Sequence, residues 1–491
     1  MLALLSFLFI TIGLVFRNLA LKSVPFHDWD ESIYAQLGKE LGGRLNFWTT
    51  YNGKLWFEKP PLLPNLFSFV SNFVDNSPFW YRSISLAATV LTLYLVYKSS
   101  VKIYTTLFFG KQPPTLMEKA IFTLPVWVTI FGGQLLDRST LVNMDIFLAL
   151  SWIGYFYFLE NRGLKLLFLI IGVWTKSLLG FYPLLLESVL FYRQKRKTSF
   201  ALKQIAAIFI ASLWYLLSYL KYGQTFVSEH FIDHLIKRIT TPIELHFGGR
   251  LFYAQVFLEN FKWLSPIIIF SLCLIGLNLL WGLKKKGLRK FVAEFDNAYL
   301  ILLSALPFFV FLTFTKAKLH WYLSSLIPLF ALTTPYLLFK LSKWRLSRNL
   351  LFVVILFYCI SLFTQETYLL KLDYTIPNKT QLGLCLAKGQ KNNLPVLYYV
   401  SEEERKLQNV LEAAHLDIGS SYIYGGAPAF LYYANHPVVF YYKLAPFSQA
   451  LKKQKQHIVV VHRLDYKEQA NLFTDFREFC DNEDWIALIN K

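Results

Sequence analysis

Long apolar runs alternate with short basic turns along most of the chain. Windows near the ~20 residues that cross ~30 Å of hydrocarbon cover residues 2–20, 80–97, 118–136, 142–159, 164–176, 178–192, 200–220, 264–283, 298–315, 320–339 and 349–366. The pattern predicts a polytopic α-helical membrane protein with about 11–13 transmembrane helices, the range reflecting 164–192, which also reads as one hairpin or a re-entrant pair. The first window reads as an uncleaved span, because no positive charge precedes it and no small-residue cleavage pattern follows.

The pattern changes three times. Residues 21–79 form a polar, aromatic-rich loop, too long to be a plain connector. Within it, Asp28 and Glu31 have capping-box spacing, and Ile33, Leu37 and Leu41 follow at four-residue steps. Gly42-Gly43 ends that helix, and Pro60-Pro61 suits the start of the next. One apolar stripe beside a bilayer predicts helices lying in the interface plane. A second loop, 221–262, concentrates Glu229, His230, Asp233, His234, Lys237 and Arg238.

In the tail, β-rich runs (Val396–Val400, Tyr422–Tyr424, Val438–Tyr442, His457–Val461) alternate with helical ones (Glu402–Ala414, Pro428–Ala434, Tyr466–Cys480). That alternation predicts a small α/β domain, giving a membrane domain over 1–368 and a soluble domain over 369–491.

Composition supports the class: 55% of the 491 residues are hydrophobic and 16% charged. The net charge of +19 suggests nucleic acid until its distribution is read. The basic clusters follow the second, fourth, sixth, eighth and tenth spans, as a cytoplasmic N-terminus predicts. Both polar loops and the tail then lie on the outer face. Of four cysteines, Cys273 and Cys359 fall in apolar windows, and Cys385 and Cys480 could bond if the tail is extracytoplasmic.

The candidate chemistry collects in the loops and at span ends. Asp30 and Glu31 are carboxylates at a helix start, where capping explains acids but three in four residues exceeds the need. Glu58-Lys59 reads as a surface ion pair or as an ammonium placed for a phosphate with a carboxylate beside it for a cation. His230, His234 and Arg238 stand at four-residue steps on one helix face, a pattern that packing also produces. Asp145 lies in an apolar segment and needs a partner, whereas Lys176 at a span end can snorkel to water. Lys316, Lys318, His320 and Tyr322 make a basic turn on the outer side, which asks for an anionic lipid partner.

These motifs, in this order, resemble a known group. Asp30-Glu31-Ser32-Ile33-Tyr34-Ala35, Phe57-Glu58-Lys59-Pro60-Pro61-Leu62, Asn143-Met144-Asp145, His234-Leu235-Ile236-Lys237-Arg238, Pro242-Ile243-Glu244-Leu245-His246 and Thr315-Lys316-Ala317-Lys318-Leu319-His320-Trp321-Tyr322 carry the likeness. Over about residues 1–340 the chain resembles a bacterial member of the protein-mannosyltransferase/aminoarabinose-transferase (ArnT-like) family, in the C superfamily of membrane glycosyltransferases (GT-C). The tail is similar, more weakly, to that family's small extracytoplasmic α/β domain.

The resemblance implies an inner-membrane enzyme that takes a sugar from a polyprenyl-phosphate carrier. It implies transfer at the outer face, with inversion, to lipid A, another glycan or a protein. It implies catalytic roles for Asp30 and Asp145, and donor-phosphate contacts from Lys59, Arg238, Lys316, Lys318 and Tyr322. It also implies a divalent metal (Zn or Mg/Mn) on Glu58 and His234, with His230 as rival, and secondary roles for Glu31, Tyr34 and His246. Ile33 stands where many relatives have Arg, which leaves sugar and acceptor open. A lipid-linked-sugar flippase and a non-catalytic membrane scaffold are the competing expectations.

Overall fold

The computed structural model describes residues 2–27, 29–74, 77–110, 112–132, 134–193, 197–240, 248–341, 375–389, 394–413, 427–453 and 456–491. The chain divides into two compact units. One comprises Met1–Ala20, Arg82–Tyr222 and Phe247–Leu372; the other comprises Leu21–Tyr81, Gly223–His246 and Asp373–Lys491. The first polar loop and part of the second therefore pack with the tail. The boundary expected at 368/369 falls outside the described residues.

The first unit is helical. Among the described residues five helices are long and apolar enough to cross a membrane: Pro78–Phe109, Arg162–Phe191, Phe252–Gly287, Asn297–Phe314 and His320–Leu341. A sixth results if Lys197–Ala211 and Leu213–Tyr222, bent by 51°, count as one. The expected span 349–366 lies outside the described residues.

Two expectations change and one open reading is decided. The stretch Arg162–Phe191 is not one straight span: the windows 164–176 and 178–192 form the hairpin that the sequence allows, because the chain turns back at Ser177 (φ 58°), which sets Gly180 against Gly172 and brings Lys165 to Glu187. The window 118–136 breaks into Leu116–Ile121, Leu124–Phe131 and Leu135–Ser139. The window 142–159 yields a 13-residue helix, Asp145–Tyr157, too short to cross ~30 Å at 1.5 Å per residue. It is buried from Asp145 to Phe156, so its apolarity serves helix packing.

The long helices divide into core and periphery. The apolar stretch of His320–Leu341 is 89% buried, that of Phe252–Gly287 only 17%. The latter exposes Trp263 and Trp281, 18 residues and so about 27 Å apart along a helix. Lys262 adjoins the first, and Lys284–Lys286 lie just beyond the second. Paired tryptophans with flanking lysines at one membrane thickness mark a lipid-facing helix.

In the second unit, helix Asp30–Leu41 leads into a hairpin of β1 (Thr49–Tyr51) and β2 (Lys54–Trp56), then helix Leu62–Val70. Pro61 stands at that last helix's cap. The Asn52-Gly53 turn has φ 49° and 73°, the left-handed pair that Asn-Gly favours in hairpins. Glu40 anchors it, accepting from the Asn52 and Gly53 amides at 2.5 and 3.2 Å. Helix Asp30–Leu41 is buried from Glu31 to Gly38. It packs against helix Leu62–Val70, β1 and helix Pro428–Ala434. A Cβ on Gly38 would lie 2.7 Å from that of Phe67. The expected interfacial helix with one apolar stripe is thus enclosed, because its polar face meets protein.

The tail forms a five-stranded sheet of β3 (Val396–Tyr399), β4 (Val438–Tyr441), β5 (Ile458–His462), β6 (Phe476–Asp481) and β7 (Trp485–Asn490), in the order β4-β3-β5-β7-β6. β3 runs parallel to β4 and β5, and β7 is antiparallel to β5 and β6. On one face Leu397, Val459, Val461, Ile486 and Leu488 pack with Phe447 and Phe473. On the other, Tyr398 meets Phe430, Phe440 and Trp485.

The strand run expected at Tyr422–Tyr424 lies outside the described residues. Tyr466–Cys480, expected helical, instead holds the end of helix Arg463–Glu468, a turn at Ala470–Leu472 and β6. Ladder pairing to β7 overrides local propensity there. Cys480 on β6 bonds Cys385 on helix Asn378–Gly389, 95 residues away. Closing a loop that long restricts the unfolded chain by about 4–5 kcal/mol in the chain-entropy model.

Candidate functional site

The second unit brings the first-loop motif and the 223–240 segment together. Helix Asp30–Leu41 begins after Trp29, whose φ of 66° is unusual for a side-chain-bearing residue. Such conformations cost about 1–3 kcal/mol and persist where surroundings hold them. The residue at the helix cap is Trp29, whose side chain does not cap the helix, and Asp28 lies outside the described residues. Glu31 reaches back to accept from the His27 amide at 2.9 Å, and Ser32 Oγ donates to the His27 carbonyl at 2.7 Å. Glu31, buried, thus closes the turn before the helix, and Tyr34 is buried one turn on. Asp30, in the first turn, is half-buried.

The expected α-helical face of His230, His234 and Arg238 lies largely on a π-helix, Val227–Ile236, followed by helix Lys237–Thr240. Wide π-turns are rare and recur at functional sites. His230 is buried and its Nδ1 lies 2.6 Å from the Phe57 carbonyl oxygen. A carbonyl only accepts, so Nδ1 carries the proton and Nε2 is the ring's lone-pair nitrogen. Burial, then the charge of Lys59, lower His230 to about 4, against the opposing Phe57 bond. His230 is therefore neutral near pH 7.

His234 Nε2 stands 3.5 Å from Glu58 Oε1. Glu229 has its carboxyl raised by burial and then by the charges of Glu58 and Asp233; Asp233 pairs with Lys237 at 2.7 Å. The arrangement concentrates three carboxylates, two imidazoles and the Lys59 ammonium. The Arg238 side chain and His246 lie outside the described residues.

The first unit holds a second group. Asp145 opens its helix, buried, and forms an ion pair with Lys176. Lys176 Nζ lies 5.1 Å from the Tyr322 ring centroid. Asn143 Oδ1 accepts from the Ile146 amide at 3.1 Å, while its Nδ2 donates to the Arg138 and Leu141 carbonyls at 2.5 and 2.8 Å. The Arg138 guanidinium lies 4.8 Å from the Trp321 ring centroid.

Two expectations are corrected here. Lys176 is not a snorkelling end residue: the acid one span earlier gives its ammonium a buried partner. Lys318, expected to contact phosphate, is buried and donates to the Leu312 and Thr313 carbonyls at 2.9 Å each. It caps the preceding helix end, and burial followed by the Lys316 charge lowers its pKa. Lys316 is exposed, as is His320, which packs on Phe252 at 4.8 Å.

The sequence places Glu229 in the charged second loop but not beside Glu58, and it does not pair Lys176 with Asp145. That pairing was findable, because an acid in an apolar span calls for a cation in a neighbouring one. Among the described residues no group of three or more His, Cys, Asp or Glu side chains could hold a metal ion. The Glu58–His234 pair does fit as two ligands: atoms 3.5 Å apart can both lie within about 2.0–2.2 Å of one cation.

The fold class follows: a polytopic helical membrane protein with a C-terminal α/β domain. The chain is similar along its length to the crystal structure of ArnT from Cupriavidus metallidurans in the apo state, with a TM-score of 0.68, 14% identity, and 99% of this chain and 97% of that one covered. It is also similar to ArnT from the same organism bound to undecaprenyl phosphate, with a TM-score of 0.62, 15% identity, and 99% and 98% covered. In sequence it is 25% identical over 357 residues to an uncharacterised protein of Aquifex aeolicus (strain VF5), spanning 71% of this chain and 77% of that protein. No protein-family model matches the chain.

Proposed function

We propose that the chain is an integral-membrane glycosyltransferase that moves a sugar from a polyprenyl-phosphate carrier to an acceptor at the outer face of the inner membrane. The acceptor classes are lipid A, another glycan or a protein. The observation that carries the reading is the end-to-end fold correspondence with ArnT bound to undecaprenyl phosphate. The Cys385–Cys480 disulfide supports an oxidising compartment for the tail.

In this reading an acceptor oxygen attacks the anomeric carbon from the face opposite the carrier. The carbon–oxygen bond to the phosphate breaks, and polyprenyl phosphate leaves with the electron pair. Asp30 takes the proton of a hydroxyl acceptor, or orients the substrates when the acceptor is itself a phosphate. Lys59 and Arg238 neutralise the departing phosphate, an electrostatic term commonly worth several kcal/mol. In the first unit, Tyr322 supports the Lys176 ammonium. The Asp145–Lys176 pair fixes the polar end of its two helices. Glu58 and His234 would hold a divalent cation, Zn or Mg/Mn, which supplies further charge to the phosphate.

Purified protein is incubated with undecaprenyl-phosphate sugars and candidate acceptors, alongside Asp30→Asn and Lys59→Ala. Sugar transfer that both variants lose supports the reading. Undiminished transfer by both removes the site assignment, and carrier movement between leaflets without transfer favours a flippase.

A further inference from the structure

The helices that carry Asp145 and Lys176 meet a third, Tyr182–Glu187, at a second polar cluster. Glu187, buried, accepts from Lys165 Nζ at 2.7 and 3.0 Å through its two carboxylate oxygens. The Tyr155 hydroxyl donates to the same carboxylate, and Lys165 Nζ lies 5.6 Å from the Tyr155 ring centroid. Asp145 and Tyr155 share helix Asp145–Tyr157, and Lys165 and Lys176 share helix Arg162–Lys176. Asp145 meets Lys176 at one end, and Tyr155 meets Lys165 at the other. The helices are therefore antiparallel, with the clusters about 15–17 Å apart along them.

Between the clusters the two backbones nearly touch. Ser151 Oγ donates to the Phe168 carbonyl at 2.7 Å. A Cβ on Gly154 would lie 2.3 Å from the Phe168 ring, and one on Gly172 would lie 2.2 Å from Ser151 Oγ. Small residues permit close approach, but a smooth seam resists sliding poorly. A slide of one residue moves a side chain about 1.5 Å along the axis and turns it by about 100°. That displacement separates both charge clusters at once, in a setting where unpaired charge is strongly disfavoured.

We propose that Lys165, Glu187 and Tyr155 are positioning residues: together they lock the register of this helix pair and so hold Lys176 against Asp145 at its far end. The proposal's effect on turnover rests on the catalytic role that the family resemblance implies for Asp145, and its structural half is measurable without that role.

The experiment compares full-length protein with Glu187→Gln, Glu187→Asp and a control, Leu148→Ala, a buried apolar change in the same helix. In Glu187→Gln, amide hydrogen exchange rises by roughly fivefold at 143–148 and 173–177, far from the substitution. Turnover falls roughly tenfold with KM for the undecaprenyl-phosphate sugar unchanged, and Glu187→Asp restores most of it. Faster exchange confined to 150–169 and 184–190 overturns the lock. So does a turnover loss no larger than that of Leu148→Ala at matched melting temperature. Full transfer by Asp145→Asn instead removes the role of Asp145, while the exchange data still decide the lock.

Discussion

The Asp145–Lys176 pair and the Glu58–His234 cluster use similar side chains to opposite ends. The first is an ion pair between two packed helices, and its charges meet inside the fold. The second lies on a loop and a π-helix, has a longer 3.5 Å contact, and places Glu58 and Asp233 close to Glu229. One arrangement cancels charge internally and is set by helix register. The other accumulates like charge, which a folded chain tolerates where a cation or an ionised ligand completes the set. Buried polarity in this protein therefore holds helices in one place and, in the proposed function, receives a substrate in the other.

The largest expected effect breaks the internal pair. Lys176→Met leaves Asp145 buried without its cation and lowers stability by about 3–5 kcal/mol. The double variant Asp145→Asn/Lys176→Met recovers most of that loss, as thermal unfolding in detergent will show. Recovery that fails would mean that the ion pair is not what Lys176 supplies.

Next comes Lys59→Ala, which in the proposed reaction reduces kcat/KM by roughly 10²–10³-fold with a small change in melting temperature. A similar loss of stability in both variants would erase the distinction between the two groups.

A third effect follows from His230, held neutral near 4 against 6.5 for the free ring. Between these values the unfolded chain binds a proton that the folded chain excludes. Stability from this group is fully present above about 6.5 and is lost as pH falls towards 4, by up to about 3 kcal/mol. Glu229, with its carboxyl raised, acts in the opposite sense: its contribution is present below 4.5 and is lost as pH rises through its folded value. Melting temperatures from pH 4 to 7 should lose much of their slope in His230→Gln.

The smallest effect is His234→Ala, about 1 kcal/mol in stability. Its consequence for turnover is larger if a cation binds, and added Zn or Mn should raise the melting temperature of the native protein but not of the variant.

The sequence by itself determined the membrane class, because long apolar windows have few alternatives in water. It also determined β3, β4, β5 and the helices Glu402–Ala413 and Pro428–Ala434, whose patterns agree with their packing. The Asn52-Gly53 hairpin went unread, although its turn pair is a hairpin signal, because the polar loop around it reads first as interfacial helices.

Tertiary structure decided the rest. Helix Asp145–Tyr157 and the 118–136 window look like spans because burial against protein and burial against lipid select the same apolar residues. The helix after Trp29 looks interfacial because a sequence shows its polar face but not what that face meets. Lys318 looks like a free cation until a helix end supplies its carbonyls. Lys176 looks like a snorkelling residue until antiparallel packing brings Asp145 to it. Periodicity fixes which residues share a face; only the register between elements fixes which charges share a site.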